Sequence, residues 1–336
     1  MTEVPDPRSA PALRWGILGP GGIAGAFAWA VGESTASQVV AVGSRSADRA
    51  ATFAQRYGVP SAHGSYEALV ADPNVQAVYV ATPHSEHAEH ALLAIAAGKH
   101  VLIEKALTRT AAEAQQVFEA AAAQGVFVME AMWTRFLPHI AELREVLARG
   151  EIGEIVGVFA DHGQDMRHLP PSHRLHNPEL AGGALLDLGV YPVSFAMDLL
   201  GTPDRIAAFG SLTETGVDGQ VAIALGFGER AQASLHTTLW ARTPTTATVF
   251  GTAGRIEVAR HFYRPTTFDV VDPDDHRRTY GGQPVAGGLQ YEAAEVARCV
   301  AEGRQQSERM SWDGSLAVMR TLDELRRQVG VTYPGE

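Results

Sequence analysis

Between residues 13 and 132, short runs of β-branched and apolar residues alternate with Ala-rich stretches whose apolar positions recur every three or four residues. That rhythm predicts strands each followed by a helix, hence a parallel sheet covered on both faces. Strands are expected at 13–19, 38–45, 77–82, 100–105 and 126–132, with a short one at 61–63. Helices are expected at 85–97 and 110–124, stopped by Gly98 and Gly125, with Ser85 placed to cap the first. After Phe136 the rhythm changes. A helix at 141–149 gives way to longer alternating runs at 155–161, 205–213, 221–227, 231–239, 247–251 and 256–258, separated by the turn signals GVDG, GER and TAGR. These predict an α+β domain with a large, mostly antiparallel open sheet. A helix near 186–200 would cover one face and leave the other for a second copy of the chain, and helices at 289–301 and 314–329 complete it. The expected organisation is a flexible N-terminus at 1–12, a doubly wound α/β domain at 13–132, and an α+β domain with the C-terminal helices at 133–336.

A length of 336 residues agrees with two domains. Lys and Arg number 27 against 38 Asp and Glu, a net charge of −11, which disfavours nucleic acid as a partner. No apolar run is expected to approach the roughly 18 residues that a membrane-spanning helix needs, and the opening MTEVPDPRSAPA lacks a signal-peptide core. A cytoplasmic protein with no membrane partner is the expectation. The lone cysteine, Cys299, excludes an internal disulfide and a multi-cysteine metal site. It lies in a helical run without a nucleophile motif.

The first expected strand runs into Gly19-Pro20-Gly21-Gly22-Ile23-Ala24 and then a helix, which matches G-x-G-x-x-G/A in its strand–turn–helix context. Gly19 would make the tight turn, Gly21 would let a pyrophosphate approach the backbone, and Ala24 would keep the helix close to the sheet. The helix N-terminus would supply N–H donors and positive dipole. An acidic residue ending the second strand would select NAD; here Ser44-Arg45-Ser46 stands instead. The arginine fork and the hydroxyls favour a 2′-phosphate, hence NADP over NAD.

Ligands of such sheets bind beyond the carboxyl ends of the strands, where Thr82-Pro83-His84-Ser85-Glu86-His87, Glu104-Lys105 and Glu130-Ala131-Met132-Trp133 collect. In the second domain a Gly182-Gly183 pair precedes Asp187 and Tyr191, whose spacing of four puts both on one helical face. With these motifs on view, GILGPGGIA, ATPHSEHAEHALLAIAAGKHVLIEKALT, EAMWTRFLP and GGALLDLGVYPV together resemble the Gfo/Idh/MocA oxidoreductases. The likeness is strongest to the branch of dimeric dihydrodiol dehydrogenases and NADP-dependent xylose 1-dehydrogenases. The resemblance implies that Lys105 and Tyr191 are the catalytic pair, with Asp187, His84 and His87 near substrate or nicotinamide. It implies a homodimer built through the second sheet and a sugar or vicinal diol as substrate.

The chemistry agrees, since oxidising an alcohol requires a base for the hydroxyl proton while the cofactor takes the hydride. A tyrosine beside an ammonium is a suitable base. Trp133, Arg135 and Phe136 would wall the nicotinamide pocket. The usual Glu-Lys-Pro of the family is here Glu104-Lys105-Ala106, which would free the backbone after the lysine. The His- and Asp-rich stretch from Asp161 to His176 lacks a compact ligand spacing, so no metal is expected; a loop bordering the substrate, with Arg174 and Asn177, is. No G-x-S-x-G elbow supports hydrolysis. The competing reading from another class is a non-catalytic NADP-binding regulator.

Overall fold

The computed structural model describes residues 4–282 and 287–336. Two compact units emerge. The first takes Pro5–Trp133 and, from the C-terminal part, the stretch ending at Leu316; the second takes the stretch beginning at Thr134 together with Ala317–Glu336.

The first unit follows the expected rhythm: β1 Arg14–Leu18, α1 Gly22–Ser34, β2 Gln38–Gly43, α2 Ala47–Tyr57, β3 Ser61–His63, α3 Tyr66–Val70, β4 Ala77–Val80, α4 His87–Ala96, β5 His100–Glu104, α5 Ala111–Gln124 and β6 Val128–Ala131. The strands pair in parallel in the order β3-β2-β1-β4-β5-β6. Helices cover both faces, so β4 and β6 are buried along their whole length, which is why β4 reads as an unbroken apolar run and β6 is apolar but for Glu130. The direction of winding reverses between β1 and β4, the switch point where such sheets leave a crevice. Ser46 and Thr110 cap α2 and α5, and Gly58 and Gly125 end them in the left-handed conformation. Ser85 caps nothing, because a 3₁₀ turn, His84–Glu86, precedes α4.

Two expectations are corrected here. Helix α8, Leu289–Ala301, belongs to this unit, as does the start of α9, Trp312–Val329. The Trp312 ring stacks on Phe118 with centroids 5.2 Å apart, and its Nε1 donates to Val128 O at 2.9 Å. The described part of the first dozen residues is tied down: Pro7–Ser9 forms a turn capped by Asp6, Pro7 is buried, and Arg298 donates to Asp6 O at 2.8 Å.

The second unit holds α6 Pro138–Ala148, β7 Ile155–Gly163, α7 Val190–Leu200, β8 Arg205–Leu212, β9 Asp218–Phe227, β10 Ala231–Thr238, β11 Ala247–Gly251, β12 Gly254–Val258, β13 Phe268–Val271 and β14 Arg277–Tyr280. Its sheet has the order β14-β13-β12-β11-β7-β10-β9-β8, antiparallel except between β7 and β10. Strands β13 and β14 went unexpected, since FDVV is too short for its alternation to register and RRTY carries no apolar alternation. The run Pro178–Leu200 has the length and mean hydropathy, 1.4, to cross a bilayer, contrary to expectation, yet 94% of its most apolar 18-residue window is buried inside the protein. Its apolar residues serve the core on every side. One sheet face is open: Phe159, Ser234, Ala224 and Ala207 lie in one cross-strand row, with Phe209 at the edge 82% exposed.

Candidate active site

In the first unit the chain leaves β1 through Gly19, at φ +89°, where a Cβ would lie 2.8 Å from Ala81 O. Only glycine fits that turn. At Gly21 and Gly22, by contrast, a Cβ would meet no atom within 4 Å. Packing therefore does not demand glycine there, whereas a phosphate drawn up to the main chain does. Gly21 begins α1 without a side-chain cap, so the first N–H groups of that thirteen-residue helix are left for an anion. Pro20 sits in the turn and Ile23 is partly exposed, while Ala24 is fully buried against the sheet as expected. These residues fit a dinucleotide pyrophosphate. At Gly25, which the motif did not single out, a Cβ would lie 2.1 Å from the Tyr57 hydroxyl, so a side chain there would have to displace that ring.

Beyond β2, Ser44 is buried, its N–H bonded to His63 O at 3.1 Å and its Oγ accepting from Ser46 N at 3.2 Å. The Arg45 side chain stands out in solvent and pairs with Glu86 at 3.0 Å. The sequence reading missed Glu86 as a partner. Loops after β2 and β4 flank the head of β1, so this pair stands at the carboxyl end of the sheet beside the glycine turn.

Lys105 follows β5, whose last residue, Glu104, accepts a hydrogen bond from the Tyr79 phenol and one from the Lys105 N–H at 3.3 Å. The backbone after Lys105 is not freed by Ala106. The Ala106 carbonyl contacts the His87 ring at 3.0 Å, and Leu107 N donates to Glu130 Oε1 at 3.2 Å. His87 is thereby removed from the ligand-facing set. Its ring is 1% exposed and lies between Ala106 O and Thr82 O, at 3.0 and 2.8 Å. Burial pushes its pKa down to about 4, and a neutral ring braces the two loops with a single N–H. Thr82 also meets His90 Nδ1 through its hydroxyl at 2.9 Å, Pro83 opens the 3₁₀ turn, and the buried His84 ring lies 5.5 Å from that of His87. Under this strand end, Glu292 of α8 is fully buried with neither carboxyl oxygen hydrogen-bonded. Burial first, then the charges of Glu104 and Glu130, raise its pKa well above the carboxylate range.

In the second unit a π-helical turn, Leu185–Gly189, leads directly into α7. It carries Asp187, which accepts from Arg174 Nη1 at 3.0 Å, and the helix carries Tyr191; both are largely buried. The Tyr191 ring lies 4.6 Å from Tyr263 and 5.4 Å from His162, and those two stack at 4.4 Å. His162 had been seen only as part of a His-rich run, and Tyr263 lies in a loop with no motif. Asn177 caps a turn, accepting from Glu179 N at 3.0 Å. Arg135 is corrected: it is buried within this unit, donating to Ser194 Oγ at 3.2 Å and lying 3.8 Å from Asp198, so it anchors α7. Phe136 is core, and Trp133 is the half-buried last residue of the first unit's N-terminal stretch. Among the described residues the one close group of potential metal ligands is Asp272, Asp274 and His276, in an exposed hairpin turn where Asp272 already accepts both backbone N–H groups. The Cys299 thiol is buried, which pushes it up to about 12 and leaves it unreactive.

A glycine turn that bares main-chain donors in one unit, and a buried tyrosine and carboxylate on a π turn in the other, are the equipment of a dinucleotide-dependent oxidoreductase. Comparison with known proteins makes this definite. Residues 13–132 match the family model for the Gfo/Idh/MocA oxidoreductases, described as an NAD-binding Rossmann fold, and residues 140–257 match the C-terminal domain model of the same family. The chain belongs to the Gfo/Idh/MocA family. It is 39% identical to a mouse trans-1,2-dihydrobenzene-1,2-diol dehydrogenase, over 96% of this chain and 98% of that protein. It is equally identical to an NADP(+) D-xylose 1-dehydrogenase of Hypocrea jecorina, over 96% and 93%. Among solved structures, a 3-ketoreductase from Actinomadura kijaniata in complex with NADP and TDP-benzene is 27% identical with a TM-score of 0.81, covering 95% of this chain and 98% of that one.

Proposed function

We propose that this protein is an NADP-dependent oxidoreductase that transfers a hydride between nicotinamide and a CH–OH carbon of a sugar or vicinal diol, or runs the reverse carbonyl reduction. The observation that carries the reading is the acid-free end of β2: Ser44 and Arg45 stand where an NAD enzyme places a carboxylate, in a chain 39% identical to an NADP(+) sugar dehydrogenase. Gly19, Pro20, Gly21, Gly22, Ile23 and Ala24 would hold the pyrophosphate, Ser44 and Arg45 the 2′-phosphate, and Thr82, Pro83, His84 and Trp133 the nucleoside and nicotinamide sides. When bound, NADP supplies the hydride acceptor.

The protein's own task is the proton. Tyr191 takes the substrate hydroxyl proton at its phenolic oxygen, Lys105 supplies the positive charge that favours this, and Asp187, held by Arg174, orients the hydroxyl. The aromatic wall of His162 and Tyr263 keeps water from the tyrosine. A homodimer formed through the open sheet face fits the exposed Phe159 and Phe209, and a cytoplasmic location fits the single buried cysteine. Lys105→Ala tests the assignment. Turnover should fall at least about a hundredfold, the usual scale of acid–base groups, with NADPH affinity held within a few fold. Unchanged turnover would remove Lys105 from the chemistry.

A further inference from the structure

The start of the Asp187–Tyr191 turn is fixed by groups far away in the sequence. No side chain of its own caps it. Instead Asp218, the fully buried first residue of β9, accepts the Leu185 N–H at 2.6 Å through Oδ2. A carboxylate at the mouth of a helix is the partner that its unsatisfied N–H groups and dipole require. The approach explains the glycine pair. Gly183 has φ +119°, and a Cβ there would lie 2.1 Å from Asp218 Oδ1; a Cβ at Gly182 would lie 2.6 Å from Arg174 O and 2.7 Å from Leu175 O. From the other side the buried Tyr333 donates its phenol to Gly182 O at 2.5 Å. Tyr333 is itself held by the Arg326 guanidinium, 4.8 Å over its ring, and Arg326 pairs with Asp323 and Glu336. A chain of contacts thus runs from the C-terminal residues through the glycine pair to the turn that bears Asp187 and Tyr191.

We propose that Asp218, backed by Tyr333, is a positioning residue of the reaction: it sets the direction of the Asp187 and Tyr191 side chains without touching the substrate. This rests on the reading that Asp187 and Tyr191 act in turnover. The glycine pair then serves the approach of a carboxylate and a carbonyl within its own unit.

The test compares Asp218→Ala, Asp218→Asn, Tyr333→Phe and Tyr191→Phe, each assayed per folded molecule after its near-ultraviolet circular dichroism has been matched to the parent. Asp218→Ala should lower kcat about 30-fold, short of the roughly hundredfold that a 1 Å misplacement costs, and leave NADPH affinity unchanged. The Asn oxygen accepts the same N–H, so Asp218→Asn should recover to within about threefold of the parent, and Tyr333→Phe should cost about threefold. A fold-only role would lower the melting temperature and leave kcat per folded molecule at the parental value in Asp218→Ala, which would overturn the proposal. So would an Asn variant that turns over no better than the Ala variant. If Asp218→Ala does not fold, Asn and Tyr333→Phe decide: about threefold losses in both support the proposal, and full kcat in Tyr333→Phe with a loss above tenfold in Asn contradicts it. Tyr191→Phe separates the two layers. Full turnover there breaks the functional reading, whereas its loss together with parental Asp218→Ala turnover breaks the positioning proposal alone.

Discussion

At the head of β1 the donors offered outward belong to the main chain. At the head of the Asp187 turn the main-chain donors are spent inward on Asp218, and the outward chemistry falls to side chains. Both places are glycine turns opening a helix, yet the glycines answer different demands. Gly21 and Gly22 have open space where a Cβ would stand, and Gly182 and Gly183 have none. A glycine pair is therefore evidence of a phosphate site only when the protein itself leaves the glycine unexplained. One unit presents backbone that a local motif can encode, and the other presents side chains on a turn whose start is held by distant residues.

The contrast can be broken in several places. The largest effect should come from Tyr191→Phe, about a thousandfold loss in kcat with NADPH affinity intact by fluorescence titration; a matching loss of affinity would erase the division of labour. Gly183→Ala should cost about 3 kcal/mol of stability by denaturant titration, since the Cβ would collide with Asp218 at a φ of +119°, while Gly22→Ala should fold normally and weaken cofactor binding.

A stability term of comparable size comes from pH. Folding holds His87 neutral, with a pKa of about 4 against 6.5 unfolded. Its contribution is fully present above 6.5 and is lost as pH falls from 6.5 through 4, about 3 kcal/mol in all. His87→Gln should flatten that limb of the stability curve. Arg45→Asp should then raise the NADP dissociation constant about 30-fold and leave NAD nearly untouched, the loss of one charge-assisted contact. Equal changes for both would deny Arg45 the 2′-phosphate. A pH effect of the opposite sign is expected at Glu292, whose pKa folding raises, so its contribution is present below about 4.5 and fades as pH rises above that. Glu292→Gln should gain stability relative to the parent at pH 8 more than at pH 5.

Much of the first unit was legible because its rules are local. Continuous apolar strands, the glycine turn and the Thr110 and Gly125 helix boundaries are each set within a few residues. What failed there was a matter of facing. His87 stands in the right loop, but its ring turns inward to two carbonyls, and no spacing rule distinguishes that from a ligand-facing ring. In the second unit the strands with alternation were found, whereas β14, exposed throughout most of RRTY, left no pattern. That Asp187 and Tyr191 stand on one continuous helical stretch was legible from their spacing. Tyr263, Asp218 and Tyr333 were not, because their importance comes from contacts across the sheet and from the C-terminus that sequence spacing does not reveal. Arg135 was misread for the same reason: its partners, Ser194 and Asp198, lie on α7.

The central claim is hydride transfer with NADP, and the most direct test is absorbance at the reduced-nicotinamide band while the protein is offered NADP or NAD with aldoses, polyols and cyclic vicinal diols. Turnover with NADP on a sugar or diol, abolished in Tyr191→Phe, is the result expected. Tight NADPH binding without turnover across the panel would contradict it and leave a dinucleotide-binding protein that does no chemistry on these substrates.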